Sequence, residues 1–142
     1  MKLRLVVASL AALVLAGCGL FGGHHGGGDC SRCGPVDITK PQVKVINGKI
    51  TVDQQTLVFG EALRNVPVTI TWTLPKESKL RFPRDGITFE KSAAEEIVCK
   101  AEGGYTFSCL NRHTKPGRYK YDIRVLDGDK ALEPLDPHVD NY

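Results

Sequence analysis

Two groups of side chains in this 142-residue chain have the types and spacings that do chemistry. The denser is His24, His25, Asp29, Cys30 and Cys33. A Cys-x-x-Cys pair offers two thiolates and the histidines add borderline nitrogen donors, a set that suits tetrahedral zinc or copper. The same cysteines have two other fates, oxidation to a structural disulfide or thiol exchange, and for the second the flanking strand and helix of a redox scaffold are missing. The other group is Cys99, Cys109 and His113. Cys99 and Cys109 lie on either side of Gly103-Gly104, and a bridge closing so short a loop contributes about 2 to 3 kcal/mol. Four cysteines allow three pairings, so links from these two to Cys30 and Cys33 stay open. His113 is expected to be an exposed loop histidine after a strand.

No catalytic constellation accompanies these groups. The chain has no Gly-x-Ser-x-Gly elbow, no phosphate-cradling glycine loop and no histidine-glutamate zinc helix. The acidic pair Glu95-Glu96 reads as a solvated edge, not as a general acid and base. No enzymatic role is expected. Lys76, Lys79, Arg81 and Arg84 gather around Pro75 and Pro83, a basic loop suited to anionic lipid headgroups, lipopolysaccharide or peptidoglycan.

The start of the chain is an address. Lys2 and Arg4 precede an apolar run from Leu5 to Leu15, which at ~1.5 Å per residue covers about half of a bilayer core and reads as a secretory signal. The run closes on Leu15-Ala16-Gly17-Cys18, which resembles the lipobox of bacterial lipoproteins at all four positions. The resemblance implies a thioether-linked diacylglycerol on Cys18, cleavage before that residue, and acylation of the new amino group by a chain such as palmitate. Thiolate nucleophilicity suits the cysteine to alkylation, and two or three acyl chains hold stably where one is marginal. Gly19 follows Cys18 where the familiar inner-membrane retention signal has Asp, so an outer-membrane location, facing the periplasm or the surface, is expected.

From Cys18 to Gly34 the chain runs CGLFGGHHGGGDCSRCG, with no apolar periodicity. It reads as a flexible tether reaching ~20 to 25 Å on average. Removing Lys2 and Arg4 with the signal leaves 17 basic side chains against 16 acidic ones, a net charge of +1 in place of +3. That balance points to no nucleic-acid partner. The organisation expected is thus a signal over 1–17, a tether over 18–34 and one folded domain over 35–142, too small for an eight-stranded α/β barrel.

The folded part reads as strands. Val43 and Val45, then Asn47-Gly48, then Ile50 and Val52 form a hairpin signature, because Asn-Gly accepts the positive φ angles of a type I′ turn. Val66, Val68, Ile70, Trp72 and Leu74 take every second place with Pro67, Thr69, Thr71 and Thr73 between, giving one apolar and one threonine-lined face. Ile87 to Glu90, Glu96 to Lys100 and Tyr105 to Cys109 are shorter strands. In the last long one Tyr119, Tyr121, Ile123 and Val125 point inward and Arg118, Lys120, Asp122 and Arg124 outward, up to the turn Asp127-Gly128-Asp129. Ser92 to Glu96 makes at most one helical turn, and Asp136 to Tyr142 reads as a polar tail. About seven strands predict a small antiparallel β-sandwich, with Trp72, Phe59, Phe82, Phe89, Phe107, Tyr119 and Tyr121 in its core.

The stretch from Tyr105 through Cys109 and His113 to Val125 is similar to the closing part of cupredoxins, in which an aromatic strand ends in Cys, a His follows, and a glycine turn leads to the last strand. The similarity implies a cupredoxin-like or immunoglobulin-like sandwich, with Cys109 and His113 at the thiolate and one imidazole position. A mononuclear copper site needs a second upstream His and usually an axial Met. No His lies between His25 and His113, and the single Met is Met1. The expected function is therefore a lipid-anchored envelope protein that presents a sandwich for binding or assembly with an envelope protein or polymer. The alternative is a periplasm-facing lipoprotein that binds copper or zinc through His24, His25, Cys30 and Cys33.

Overall fold

The computed structural model describes residues 37–100 and 103–142. These form an all-β domain whose strands are β1 (Val43–Ile46), β2 (Lys49–Val52), β3 (Thr56–Phe59), β4 (Val68–Thr73), β5 (Leu80–Arg81), β6 (Ile87–Phe89), β7 (Ile97–Lys100), β8 (Thr106–Asn111), β9 (Gly117–Ile123), β10 (Leu126–Asp127), β11 (Lys130–Ala131) and β12 (His138–Asn141). Two single 3-10 turns, Glu61–Leu63 and Lys91–Ala93, interrupt them. Two sheets carry the architecture, β3-β12-β9-β6 and β4-β8-β7, with the β1-β2 hairpin and the small sheet β11-β10-β5 beside them. Every pairing is antiparallel except β3 with β12.

Alternation decides which faces meet. Ile70 and Trp72 of β4 and Phe107 and Cys109 of β8 are buried, as are Tyr119, Tyr121 and Ile123 of β9, Leu57 and Phe59 of β3 and Val139 of β12. A period of two puts each of these sets on one side of its strand, so the two sheets close on each other as a sandwich. The contact is direct: the Trp72 and Tyr121 rings meet edge to face at 5.3 Å, and Trp72 Nε1 donates to Tyr121 Oη at 3.3 Å. Phe89, half-buried, stacks on Tyr121 at 4.9 Å, and Phe82 meets Phe107 at 6.0 Å. Burial pushes the Tyr121 phenol pKa up, against the pull of the Trp72 N–H, so the hydroxyl stays protonated.

The hairpin forms where Asn47-Gly48 predicts it. Asn47 and Gly48 have φ of 52° and 75°, and the register pairs Val43 with Val52 and Val45 with Ile50. The long strand is shorter than expected: β4 begins at Val68, and Val66 is 47% exposed rather than inward. Pro67 accounts for this, since it has no N–H to give a ladder. The seven expected strands are present, and β3, β5, β10, β11 and β12 add to them. The polar tail is corrected most: His138–Asn141 lies in the middle of its sheet, parallel to β3 and antiparallel to β9. Its apolar content is the single Val139, and its polar side chains find partners instead, so no alternation announces it.

Candidate functional site

Cys18, His24, His25, Cys30 and Cys33, and with them the lipid site and the tether cluster, lie outside the described residues. Cys99 and Cys109 are brought together. They face each other across the β7–β8 pair and form a disulfide, with Cα atoms 4.0 Å apart. The bridge lies on the inner side of the sheet, with Cys109 buried and Cys99 half-exposed near the edge. Its sulfur is thereby committed, and the copper arrangement implied for Cys109 and His113 has no free thiolate to build on.

His113 is not the exposed loop histidine expected; it is 1% exposed and held at a φ of 51°. Its Nε2 lies 3.0 Å from the backbone oxygen of Tyr142. That oxygen only accepts, so Nε2 donates to it, and Nδ1 is buried with no partner among the described residues. Around it is a polar network that sequence reasoning missed. Asn111 and Asn141 exchange two amide hydrogen bonds of 2.8 and 3.0 Å, and Asn111 Oδ1 also accepts from the His113 backbone N–H. Both amides are buried, and a reciprocal pair of this kind satisfies a donor and an acceptor on each side. The spacing Asn111-x-His113 carries no signal of its own; only the arrival of β12 beside β9 supplies Asn141.

The acidic pair divides. Glu95 is exposed and reaches Lys115 at 2.5 Å. Glu96, read from sequence as part of a solvated edge, is 2% exposed. Its carboxylate accepts from the backbone N–H of Thr114 at 2.8 Å and of Lys115 at 3.1 Å, and from the Thr114 hydroxyl. Burial works to raise its pKa, but the three donors outweigh burial and hold it below the ordinary glutamate value. Glu96 thus pins the 112–116 loop to the start of β7. At the same end Arg118 makes a two-pronged bond to Asp140 at 2.8 Å through each nitrogen, and this bonding holds the Asp140 carboxyl low. These groups serve the packing of the loop and of β12. None presents a nucleophile beside a base.

The two outer faces of the sandwich differ in chemistry. Over β9 and β12 the outward side chains are Arg118, Lys120, Asp122 and Asp140. Over β4, β8 and β7 they are Thr69, Thr71, Thr73, Thr106, Ser108, Leu110 and Val98, a hydroxyl-lined face on which Thr71 and Ser108 share a hydrogen bond of 3.2 Å. A groove of about 360 Å³ lies on this face, lined by Thr69, Val98, Ser108 and Leu110, with Lys100 and Arg112 on its rim. Val98 and Leu110, directly paired, are 42% and 40% exposed. The groove thus sets a shallow apolar strip among hydroxyls, with two cations in its lining.

The basic loop is exposed, as expected, at Lys76, Lys79, Arg81 and Arg84. The fold also seats acids beside it: Leu80 pairs with Asp127, and Gly128 N–H donates to the Lys79 carbonyl at 3.3 Å, which draws the Asp127-Gly128-Asp129 turn alongside. The four clustered cations therefore have acidic neighbours in the fold that sequence distance conceals. No helix among the described residues is long and apolar enough to cross a membrane. No protein-family model matches the chain, and no curated protein matches it.

Proposed function

We propose that this chain is a lipid-anchored protein of the bacterial cell envelope whose β-sandwich acts as a binding or assembly module and not as an enzyme. The observation that carries the reading is Leu15-Ala16-Gly17-Cys18 at the close of a short apolar run. The Cys99–Cys109 disulfide supports an oxidising compartment outside the cytoplasm. Gly19 supports the outer membrane as destination, and the hydroxyl-lined face over β4, β8 and β7 supports a surface that meets a protein or polymer of the envelope. Cys18→Ala is expected to abolish lipid incorporation and shift the chain out of the membrane fraction, and an inhibitor of the lipoprotein signal peptidase is expected to accumulate the uncleaved, diacylated form. Unaltered processing and fractionation in both experiments would exclude the anchor.

The spacing of His24, His25, Cys30 and Cys33 favours a second reading, in which the tether captures copper or zinc. Reduced protein is then expected to take up about one equivalent of metal at micromolar or tighter affinity, and the Cys30→Ser, Cys33→Ser variant to lose it. Equal uptake by that variant would dismiss the tether as the site.

A further inference from the structure

The two edges of the β4-β8-β7 sheet are treated differently. On the β4 side the arm Thr39–Gln42 closes the edge, with Thr71 N–H donating to the Thr39 carbonyl at 2.8 Å and Thr73 N–H to that of Pro41 at 3.1 Å. On the other side β7 is the last strand. Arg112 N–H donates to the Glu96 carbonyl at 2.8 Å, which sets the phase of the ladder: Glu96, Val98 and Lys100 bond toward β8, so Ile97 and Cys99 turn their N–H and C=O groups outward. No strand among the described residues meets them; Ile97 sends its side chain into the core and is 4% exposed as a whole residue, while Cys99 is half-exposed. The apolar row that crosses the outer face, Leu110 then Val98, runs to this edge and stops there.

We propose that this edge is a self-association surface, on which two copies of the chain pair β7 with β7 antiparallel about a two-fold axis at Val98. The hydrogen-bonding phase selects that axis. Ile97 of one copy then exchanges both backbone bonds with Cys99 of the other, and Val98 meets Val98 at the non-hydrogen-bonded position between them. The sequence Glu95-Glu96-Ile97-Val98-Cys99-Lys100 is complementary to itself in this direction: Lys100 of each copy comes opposite the Glu96 position of the other, where Glu96 itself is buried and held by Thr114 and Lys115, and the neighbouring exposed Glu95 is the acid that re-pairs from Lys115 to Lys100. Lys100 makes no ion pair of its own among the described residues. A lysine on an edge strand discourages pairing unless the incoming strand brings an acid, which selects a second copy of this strand over a neutral peptide and antiparallel over parallel. The product is one six-stranded sheet with a continuous Leu110-Val98-Val98-Leu110 row and an isologous interface. The inference rests on the sheet and not on the anchor.

Sedimentation equilibrium on the purified full chain tests it. A concentration-dependent dimer is expected, and Val98→Arg, which sets two cations against each other on the axis, is expected to raise its dissociation constant at least about tenfold. Lys100→Glu weakens the dimer, and adding Glu95→Lys restores it, a rescue that loss of folding does not imitate. Val98→Cys, placed where cross-strand Cα atoms approach to about 4.5 Å, is expected to give a cross-link mapped to position 98 in both chains, while Thr88→Cys on the other sheet gives none. A monomer at every concentration together with no cross-link at position 98, or a dimer indifferent to Val98→Arg and to both charge reversals, overturns the proposal.

Discussion

Trp72→Ala is expected to destabilise the domain by about 3 to 5 kcal/mol, a large share of the 5 to 15 kcal/mol that a domain of this kind has available. Trp72 is fully buried on β4 and is the ring through which that sheet touches β9. Its removal opens a cavity against Tyr121 and Phe89, whose rings lie 5.3 and 6.4 Å from it. It also leaves the Tyr121 hydroxyl without the indole N–H that donates to it. Trp72→Phe separates the two effects: most of the volume stays while the donor goes, and the expected loss is about 1 to 2 kcal/mol. Because Trp72 is the only tryptophan, urea unfolding must be followed by far-ultraviolet circular dichroism and not by fluorescence. The expected result is a lower midpoint at unchanged slope. A loss below about 1 kcal/mol for the alanine variant would mean that the two sheets do not meet at this ring.

Glu96→Gln is expected to cost about 2 to 3 kcal/mol at neutral pH, since a charged acceptor of three hydrogen bonds becomes an amide whose Nε2 faces donors. The pH dependence follows from the direction of its shift. The folded-state pKa lies below the ordinary glutamate value, so the unfolded chain takes up its proton first. The carboxylate's contribution is therefore complete above about pH 5, shrinks as the pH falls through the ordinary range, and is gone below the folded-state value. Asp140, held low first by its bond to Arg118, adds a second contribution of the same sign. The stability difference between wild type and Glu96→Gln is thus expected to hold from pH 6 to about pH 5 and to narrow from there to pH 3, as read from urea midpoints. A difference that stays constant over that range would show that the Glu96 charge is not what holds the 112–116 loop.

How much of the sandwich could be read in advance depends on strand length. Where five or more residues alternate, as from Val68 to Leu74 and from Tyr119 to Val125, the inward set is legible and the inner faces follow. Where two local signals coincide, as in the valine-flanked Asn47-Gly48, even the register follows. Strands of two to four residues such as Leu80–Arg81 and His138–Asn141 escape, because so few positions hold no period and their place in a sheet is conferred by distant neighbours. Glu96 and His113 misled for the same reason. A glutamate in a run of acids and a histidine after a strand are ordinarily solvated, and their burial is set by the donors and oxygens that Thr114, Lys115 and Tyr142 bring from elsewhere in the chain.

The sequence by itself determined the features whose physics is local. These are the β class, the type I′ hairpin, the alternating inner faces, and a Cys99–Cys109 bridge close enough in chain to be named beforehand although other pairings stayed open. Only the tertiary structure decided the features made of distant pairs. It seated β12 between β3 and β9, matched Asn111 to Asn141, buried Glu96 under the loop it fastens, placed acids beside the basic loop, and left β7 with no further strand beside it among the described residues, where the exposed Val98 row ends. The division has one cause. A turn or an alternating face is specified by neighbours a few residues apart, whereas burial of a polar group and the completion of a sheet edge depend on which far part of the chain arrives there.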